Sequence, residues 1–220
     1  MTAFTPEAYL FDMDGLLLDT ERVYMGVLTS LLVERGWSEA AGHELGLSLV
    51  GKSGAAANDV IVDRVGADAL ETFKPEWMAR VKAEIDVGVP VKATVREVLG
   101  ELSAAGARMA VVTATWGKQA RHHLELAGLL GHFETVVGGD EVTANKPDPA
   151  PYLEGARRLG VDPTGCAVFE DSDAGTTAGV RAGCRVVQIP DLRPADVPLP
   201  DLGQLVAGTL AEGLGKIRAI

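Results

Sequence analysis

The sequence predicts an α/β fold, because strand-like and helix-like segments alternate along most of the chain. Short, nearly apolar runs recur along the chain, at 8–11, 107–113, 135–139, 166–169 and 184–189. Such runs are typical of strands that are buried on both faces, as in a parallel sheet covered by helices. Helical spacing between the runs from 90 to 190 therefore favours a doubly wound, Rossmann-like parallel sheet.

The helices between these runs are predicted from apolar spacing and from end signals. Apolar residues in 95–102 and 120–127 lie three or four positions apart, as they do on one face of a helix. Asp148 followed by Pro149 predicts a helix with Asp148 as its N-cap and proline at its first position. The proline-rich tail is expected to end in a helix over 203–217.

The interval from about 20 to 88 interrupts the alternation. Its Leu, Val, Ala and Glu residues follow helical spacing, and the next strand-like run comes only at 107. We interpret 20–88 as a helical cap subdomain inserted after the first strand. Residues 1–19 and 89–220 would then form the core domain.

The charge balance limits the classes of partner. The chain has 220 residues with 20 basic and 31 acidic side chains, a net charge of −11, and a pI of about 4.8. Such a surface repels nucleic acids and anionic membranes, whereas a small anionic substrate remains possible beside a local cation.

The two cysteines, Cys166 and Cys184, are interpreted as reduced core residues. We expect a monomeric cytoplasmic protein, with no apolar run near the roughly 18 residues of a membrane span.

Acidic residues follow the predicted strands where each strand ends. Asp12 and Asp14 come after the first run, Thr113 ends the second, and Glu170 and Asp171 follow the fourth. The carboxyl ends of parallel strands share one edge of the sheet, where open α/β folds bind their ligands. Converging carboxylates repel one another unless a cation lies between them. A small set of oxygen ligands favours Mg²⁺ over Ca²⁺.

Four motifs in this order resemble those of the haloacid dehalogenase-like hydrolase superfamily: FDMDGLLLDTE, VVTAT, Lys146-Pro147 and FEDSDAG. The resemblance covers about 8 to 190 and is greatest to the sugar-phosphate phosphatase and β-phosphoglucomutase branch, which carries a helical cap. It implies a Mg²⁺-dependent phosphatase. The expected substrate is a small phosphorylated metabolite, such as a sugar or polyol phosphate.

The resemblance also implies a role for each matching residue. Asp12 would be the nucleophile that forms an aspartyl phosphate, and Asp14 the general acid and then base. Thr113 and the amide of Ala114 would donate hydrogen bonds to the phosphoryl oxygens. Lys146 would neutralise negative charge on Asp12 and on the phosphoryl group.

A metal site is implied in the same way. Asp171 would complete it, Asp14 would contribute its backbone carbonyl, and Glu170 would bind the metal directly or through water. Asp19 and Thr20 would brace the loop behind these ligands. The expected metal-binding set is Asp12, Asp14, Glu170 and Asp171.

Two further segments leave alternatives open. Residues 46–53 match GxxxxGK[ST], the P-loop pattern, which would indicate a nucleotide-binding protein or kinase. A P-loop follows a buried strand, and the preceding WSEAAGHEL does not resemble one. Lys52 would otherwise lie in a cap loop, either reaching the substrate or solvated. Trp116, close behind Thr113, is a candidate lining residue of the substrate pocket.

A phosphomutase is the nearest alternative within the family. The mutases place a histidine in the hinge after the first motif and an arginine in a cap loop, and the matching positions here are Tyr24 and Gly54. Tyr24 brings no cation at neutral pH, and Gly54 has no side chain to grip a second phosphate. These two departures favour hydrolysis. The acid at Asp14 argues against dehalogenases and phosphonatases, which lack it.

Overall fold

The computed structural model describes residues 4–50, 54–193 and 197–220. The chain divides into two compact units. The core unit holds the described residues of Met1–Asp19, Pro90–Asp191 and Pro198–Ile220. The helical unit holds the described residues of Thr20–Val89 and Leu192–Val197.

The core unit is built on a parallel sheet, as the apolar runs predict. Six strands lie in its described residues: β1 (Ala8–Phe11), β2 (Arg108–Val112), β3 (Thr135–Val137), β4 (Cys166–Glu170), β5 (Arg185–Gln188) and β6 (Leu205–Val206). They lie in the order β3-β2-β1-β4-β5-β6, and all neighbours are parallel. The predicted α/β class with a doubly wound sheet is therefore confirmed, and β6 is a strand that the sequence analysis did not predict.

Nine α-helices occur in the ranges that the structure describes. They are α1 (Thr20–Glu34), α2 (Glu39–Leu49), α3 (Gly54–Val65), α4 (Phe73–Val87), α5 (Val95–Ala104), α6 (Gly117–Leu126), α7 (Ala150–Leu159), α8 (Asp173–Arg181) and α9 (Leu210–Arg218). The first four belong to the helical unit and the other five to the core unit. None of the described helices combines the length and apolar character needed to cross a membrane.

Two predicted helix starts are wrong. Helix α7 begins at Ala150 with Pro149 as its N-cap residue, so the cap lies one position later than predicted. The Asp148 carboxylate instead accepts a hydrogen bond from the Ala150 amide at 2.9 Å. Helix α9 begins at Leu210 and not near 203, because strand β6 pairs with β5 and Thr209 then caps the helix.

The sheet is buried on both faces at its centre, which explains why its strands lack polar alternation. Strands β1 and β4 are buried throughout. The rings of Phe11 and Phe169 stack between them, with centroids 5.2 Å apart. Helix α7 approaches the sheet closely at Gly155, where a Cβ atom would lie 2.9 Å from the Val112 side chain. The two cysteines lie in this core, as predicted.

The helical unit contains the segment that matches a P-loop pattern. Gly46 lies within α2, and a Cβ atom there would come within 2.6 Å of the Met25 side chain on α1. This glycine therefore allows two helices to pack, and it follows helical residues where a P-loop would follow a strand. Lys52 and its two neighbours lie outside the described residues. The α2 geometry argues against nucleotide binding by this segment.

Candidate active site

The sheet topology brings three acidic residues to one edge. The strand order reverses direction at the β1–β4 pair, which is the position where open α/β sheets bind ligands. The Asp12 amide donates a hydrogen bond to the Phe169 carbonyl at 3.0 Å, so the residue after β1 is fixed against β4. One carboxylate oxygen from each of Asp12, Glu170 and Asp171 lies within 4.8 Å of the others.

Lys146 is the cation of this cluster. Its ammonium donates to Asp12 Oδ1 at 2.5 Å, to the Val112 carbonyl at 2.8 Å, and it lies 2.6 Å from Glu170 Oε1. An ammonium has three donors, and these three partners use all of them. The lysine side chain is nearly buried, so water screens these charges little.

Burial and mutual charge shift the pKa values of the pair. Burial raises the pKa of the Asp12 carboxyl well above its usual range, Lys146 opposes this rise, and the charges of Glu170 and Asp14 add to it. Burial acts to lower the pKa of Lys146, but the negative charges of Asp12 and Glu170 outweigh it and raise that pKa. Lys146 is therefore an ammonium at neutral pH, and added positive charge near Asp12 would favour its carboxylate form.

Glu170 is fully buried, and both of its oxygens are occupied by the chain. Oε1 contacts the Lys146 ammonium and accepts from the Tyr152 hydroxyl at 2.6 Å. Oε2 accepts from the Asp171 amide at 3.1 Å, the Ser172 amide at 3.2 Å and the Ser172 hydroxyl at 3.1 Å. A carboxylate offers about four lone-pair sites. These contacts fill them, so Glu170 is better suited to hold Lys146 than to bind a metal directly.

Two glycines provide space for the carboxylates. A Cβ atom at Gly175, near the start of α8, would overlap the Glu170 carboxylate. At Gly15 a Cβ atom would overlap the Asp171 carboxylate, and the backbone φ of 83° belongs to the left-handed region that favours glycine. The turn after β1 and the first turn of α8 therefore both require glycine for a steric reason.

Two threonine hydroxyls hold Asp14. Thr115 Oγ1 donates to Asp14 Oδ2 at 2.7 Å, and Thr113 Oγ1 reaches the same oxygen at 3.3 Å. The Thr115 amide in turn donates to Thr113 Oγ1 at 3.1 Å. The sequence analysis assigned Thr113 but missed Thr115. Thr115 lies two residues after Thr113 in the VVTAT motif, on the same loop after β2, and this position could have identified it.

The residues expected to support the loop lie in different units. Asp19 belongs to the core unit, where its amide donates to the Pro90 carbonyl at 2.8 Å. Its carboxylate lies 3.8 Å from the Lys92 ammonium. Thr20 is buried and begins α1 in the helical unit. Asp19 therefore contacts Pro90 and Lys92 in the second segment of the core unit.

The three residues expected to bind substrate lie in different surroundings. Ala114 lies beside Thr113 on the loop after β2, and its carbonyl lies so close to Gly139 that a Cβ atom there would overlap it. Trp116 is 69% exposed although its backbone is fixed as the N-cap of α6. Lys52 lies outside the described residues. Ala114 and Trp116 therefore remain candidates on a loop that is anchored at both ends.

The cluster suits a hard divalent cation. Asp12, Glu170 and Asp171 offer only oxygen donors, and the Lys146 ammonium contacts the carboxylates of Asp12 and Glu170. Oxygen donors select ions such as Mg²⁺ over softer metals. Since Glu170 is saturated by the chain, the carboxylates of Asp12 and Asp171 are the better candidates for direct ligands.

Comparison with known proteins agrees with this geometry. The family model described as haloacid dehalogenase-like hydrolase matches residues 9–189. Hexitol phosphatase A from Escherichia coli K12 is 31% identical over 222 residues, covering 94% of this chain and 92% of that protein. This relative aligns with almost the whole chain, including both units.

Two solved structures are similar over almost their entire length. A HAD family hydrolase from Deinococcus radiodurans R1, crystallised with bound phosphate and sodium, is 27% identical with a TM-score of 0.71, covering 97% of each chain. A β-phosphoglucomutase from Clostridium difficile has a TM-score of 0.72 at 20% identity and covers 98% of each chain. The latter likeness establishes a shared fold and nothing about the reaction.

Replacement of Gly175 tests the packing around Glu170. We expect Gly175→Ala to lower the free energy of unfolding by about 1–3 kcal/mol, because the added carbon must displace a buried carboxylate. Gly100→Ala is the matched control, since a Cβ atom at this position in α5 meets nothing within 4 Å. The control should be neutral or stabilising by up to about 1 kcal/mol. Urea denaturation measures both, and equal stabilities for Gly175→Ala and wild type would contradict the packing described.

Proposed function

Because the chain belongs to the haloacid dehalogenase-like hydrolase family, we propose that it hydrolyses phosphomonoesters of small phosphorylated carbohydrates with Asp12 as the nucleophile. The chain is an enzyme, and its relatives in this family include proteins named phosphatases. The observation that carries the proposal is the buried contact of Asp12 with the Lys146 ammonium, beside the acids Glu170 and Asp171.

In the first step an Asp12 carboxylate oxygen attacks phosphorus. A bond forms between that oxygen and phosphorus, and the bond from phosphorus to the ester oxygen of the substrate breaks. Asp14, in its protonated form, gives its proton to the departing oxygen, so that an alcohol leaves. Lys146 stays beside Asp12 and offsets negative charge as the transfer proceeds. The product of this step is an aspartyl phosphate on Asp12.

In the second step Asp14 acts as a base. It takes a proton from water, the water oxygen attacks phosphorus, and the bond between phosphorus and Asp12 breaks to release phosphate. The hydroxyls of Thr113 and Thr115 both approach Asp14 Oδ2. We assign the proton transfers to Oδ1, because the hydroxyl contacts orient the carboxyl group through its other oxygen.

We propose Mg²⁺ as the cofactor. The carboxylates of Asp12 and Asp171 would bind it, and the Asp14 backbone carbonyl is the further ligand that the family resemblance implies. When bound, Mg²⁺ supplies positive charge that offsets the phosphoryl oxygens and the neighbouring acids. Glu170 would remain with Lys146, because its oxygens already accept hydrogen bonds from the chain.

A sugar or polyol phosphate is the proposed substrate class. The relative named hexitol phosphatase A supports this choice, and it matches both units of the chain. We propose that the helical unit serves as the cap that excludes water and sets specificity, and that Trp116 offers an apolar face to the substrate. The proposed setting is the cytoplasm, with a monomeric enzyme.

Hydrolysis is favoured over phosphomutase activity by residues of the helical unit. Tyr24 stands where the resembling mutases have a histidine. Its ring lies edge-on to Trp77, with centroids 6.1 Å apart, and its carbonyl accepts from the Trp77 indole at 2.9 Å. Tyr24 is thus engaged in packing. Gly54, the position of the phosphate-gripping arginine, begins α3 and carries no charge.

Replacement of the nucleophile tests the proposed function directly. Asp12→Asn should reduce phosphate release from sugar phosphates by at least about a thousandfold, because an amide does not attack phosphorus at a useful rate. Asp63→Asn, at an exposed position of the helical unit, is the control and should retain full activity. Phosphate release and circular dichroism are measured together. A folded Asp12→Asn protein with more than about a tenth of wild-type activity would rule out this nucleophile.

A second experiment separates hydrolysis from mutase activity. The protein is incubated with Mg²⁺, β-glucose 1-phosphate and a trace of glucose 1,6-bisphosphate, and both glucose 6-phosphate and free phosphate are followed. We expect free phosphate from a panel of sugar phosphates and little glucose 6-phosphate, because Tyr24 and Gly54 provide no charge for a second phosphate. Glucose 6-phosphate that forms faster than phosphate is released from any substrate would establish the mutase alternative.

A further inference from the structure

We propose that Tyr152 is a positioning residue for phosphoryl transfer, acting through Glu170 to hold the Lys146 ammonium beside Asp12. The inference rests on the proposed function. It assigns a role to a residue that lies outside the four motifs shared with the family. Tyr152 touches no reacting atom in this proposal. It fixes the position of the Lys146 ammonium, whose positive charge lies beside the Asp12 carboxylate.

The contacts form a continuous path from the tyrosine to the nucleophile. The Tyr152 hydroxyl donates to Glu170 Oε1 at 2.6 Å, and the same oxygen lies 2.6 Å from the Lys146 ammonium. That ammonium donates to Asp12 Oδ1 at 2.5 Å. The Tyr152 ring also lies 5.1 Å from the ammonium, within reach of a cation–π attraction.

The hydroxyl is placed where packing alone would favour phenylalanine. Tyr152 is fully buried on α7, among apolar core residues that include Leu10 and Val112. A buried hydroxyl is unfavourable unless it makes a hydrogen bond, and this one bonds to a buried carboxylate. The close approach of α7 at Gly155 fixes the helix on the sheet, so the hydroxyl is presented from a rigid element.

Removal of the hydroxyl should change the charge balance within the cluster. Among the described residues, Glu170 Oε1 would then keep only the Lys146 ammonium as a partner, and the attraction between these two groups would strengthen. The Lys146 ammonium would therefore shift toward Glu170 and away from Asp12. Phosphoryl transfer from substrate to Asp12 would lose part of the charge neutralisation that it requires.

Tyr152→Phe tests the inference with little change in shape. We expect kcat to fall about tenfold, with KM and the Mg²⁺ concentration for half-maximal activity within about twofold of wild type, because the interaction serves the transition state. Calorimetry should show orthovanadate, which adopts five-coordinate geometry, binding about tenfold more weakly. Binding of inorganic phosphate should change less than about twofold.

Tyr9→Phe is the matched control. Tyr9 is a buried tyrosine of the same unit, on β1. This control loses a comparable hydroxyl and should keep wild-type kcat. A fall in kcat for both variants, or for neither, would overturn the inference, as would a change in KM alone. Absence of phosphatase activity from wild type would instead count against the proposed function.

A double-mutant cycle with Glu170→Gln tests whether Tyr152 acts through Glu170. Glu170→Gln preserves the side-chain shape and removes the charge through which Tyr152 acts. In the Glu170→Gln background, the effect of Tyr152→Phe on kcat should shrink from about tenfold to less than about threefold, because interacting residues are not additive. Independent, multiplicative effects of the two substitutions on kcat would contradict the proposed path.

Discussion

A buried ammonium among buried carboxylates is the constraint on which the site depends. Lys146 contacts Asp12 and Glu170 where water screens charge poorly. A charge left unpaired in such a place is strongly destabilising, so each group requires the others. The same arrangement places the acids Glu170 and Asp171 close to Asp12, so that carboxylates outnumber the Lys146 ammonium. That surplus of negative charge suits the proposed binding of a cation, which in turn would offset the charge of an anionic phosphate ester.

The surrounding fold maintains this arrangement through backbone geometry. Strands β1 and β4 pair directly, which places Asp12 beside the end of β4, where Glu170 lies. Glycines at positions 15 and 175 make room for the carboxylates of Asp171 and Glu170. The rigid sheet edge therefore sets distances that a mobile loop would not maintain, and electrostatic catalysis depends on such preorganisation.

Much of the fold and of the candidate site could be predicted from the sequence. The remainder depends on contacts between residues that are far apart in the chain, which no local sequence pattern encodes. Apolar runs predicted five strands, because strands buried on both faces lack polar alternation. Strand β6 is only two residues long and gives no such signal. Asp12 and Asp171 follow strands and belong to recognisable motifs. Tyr152 is buried in a helix like any core residue, and its bond to Glu170 is visible only once α7 is placed on the sheet.

The covalent state of Asp12 during turnover tests the central claim most directly. Wild-type protein is mixed with Mg²⁺ and an excess of a sugar phosphate that it hydrolyses, quenched in acid within milliseconds, digested and mapped by mass spectrometry. The account predicts a phosphoryl group on Asp12, in a peptide that loses it when the quench is delayed until substrate is exhausted. A phosphoryl group on another residue, or an unmodified Asp12 at every quench time including the burst phase, would contradict it.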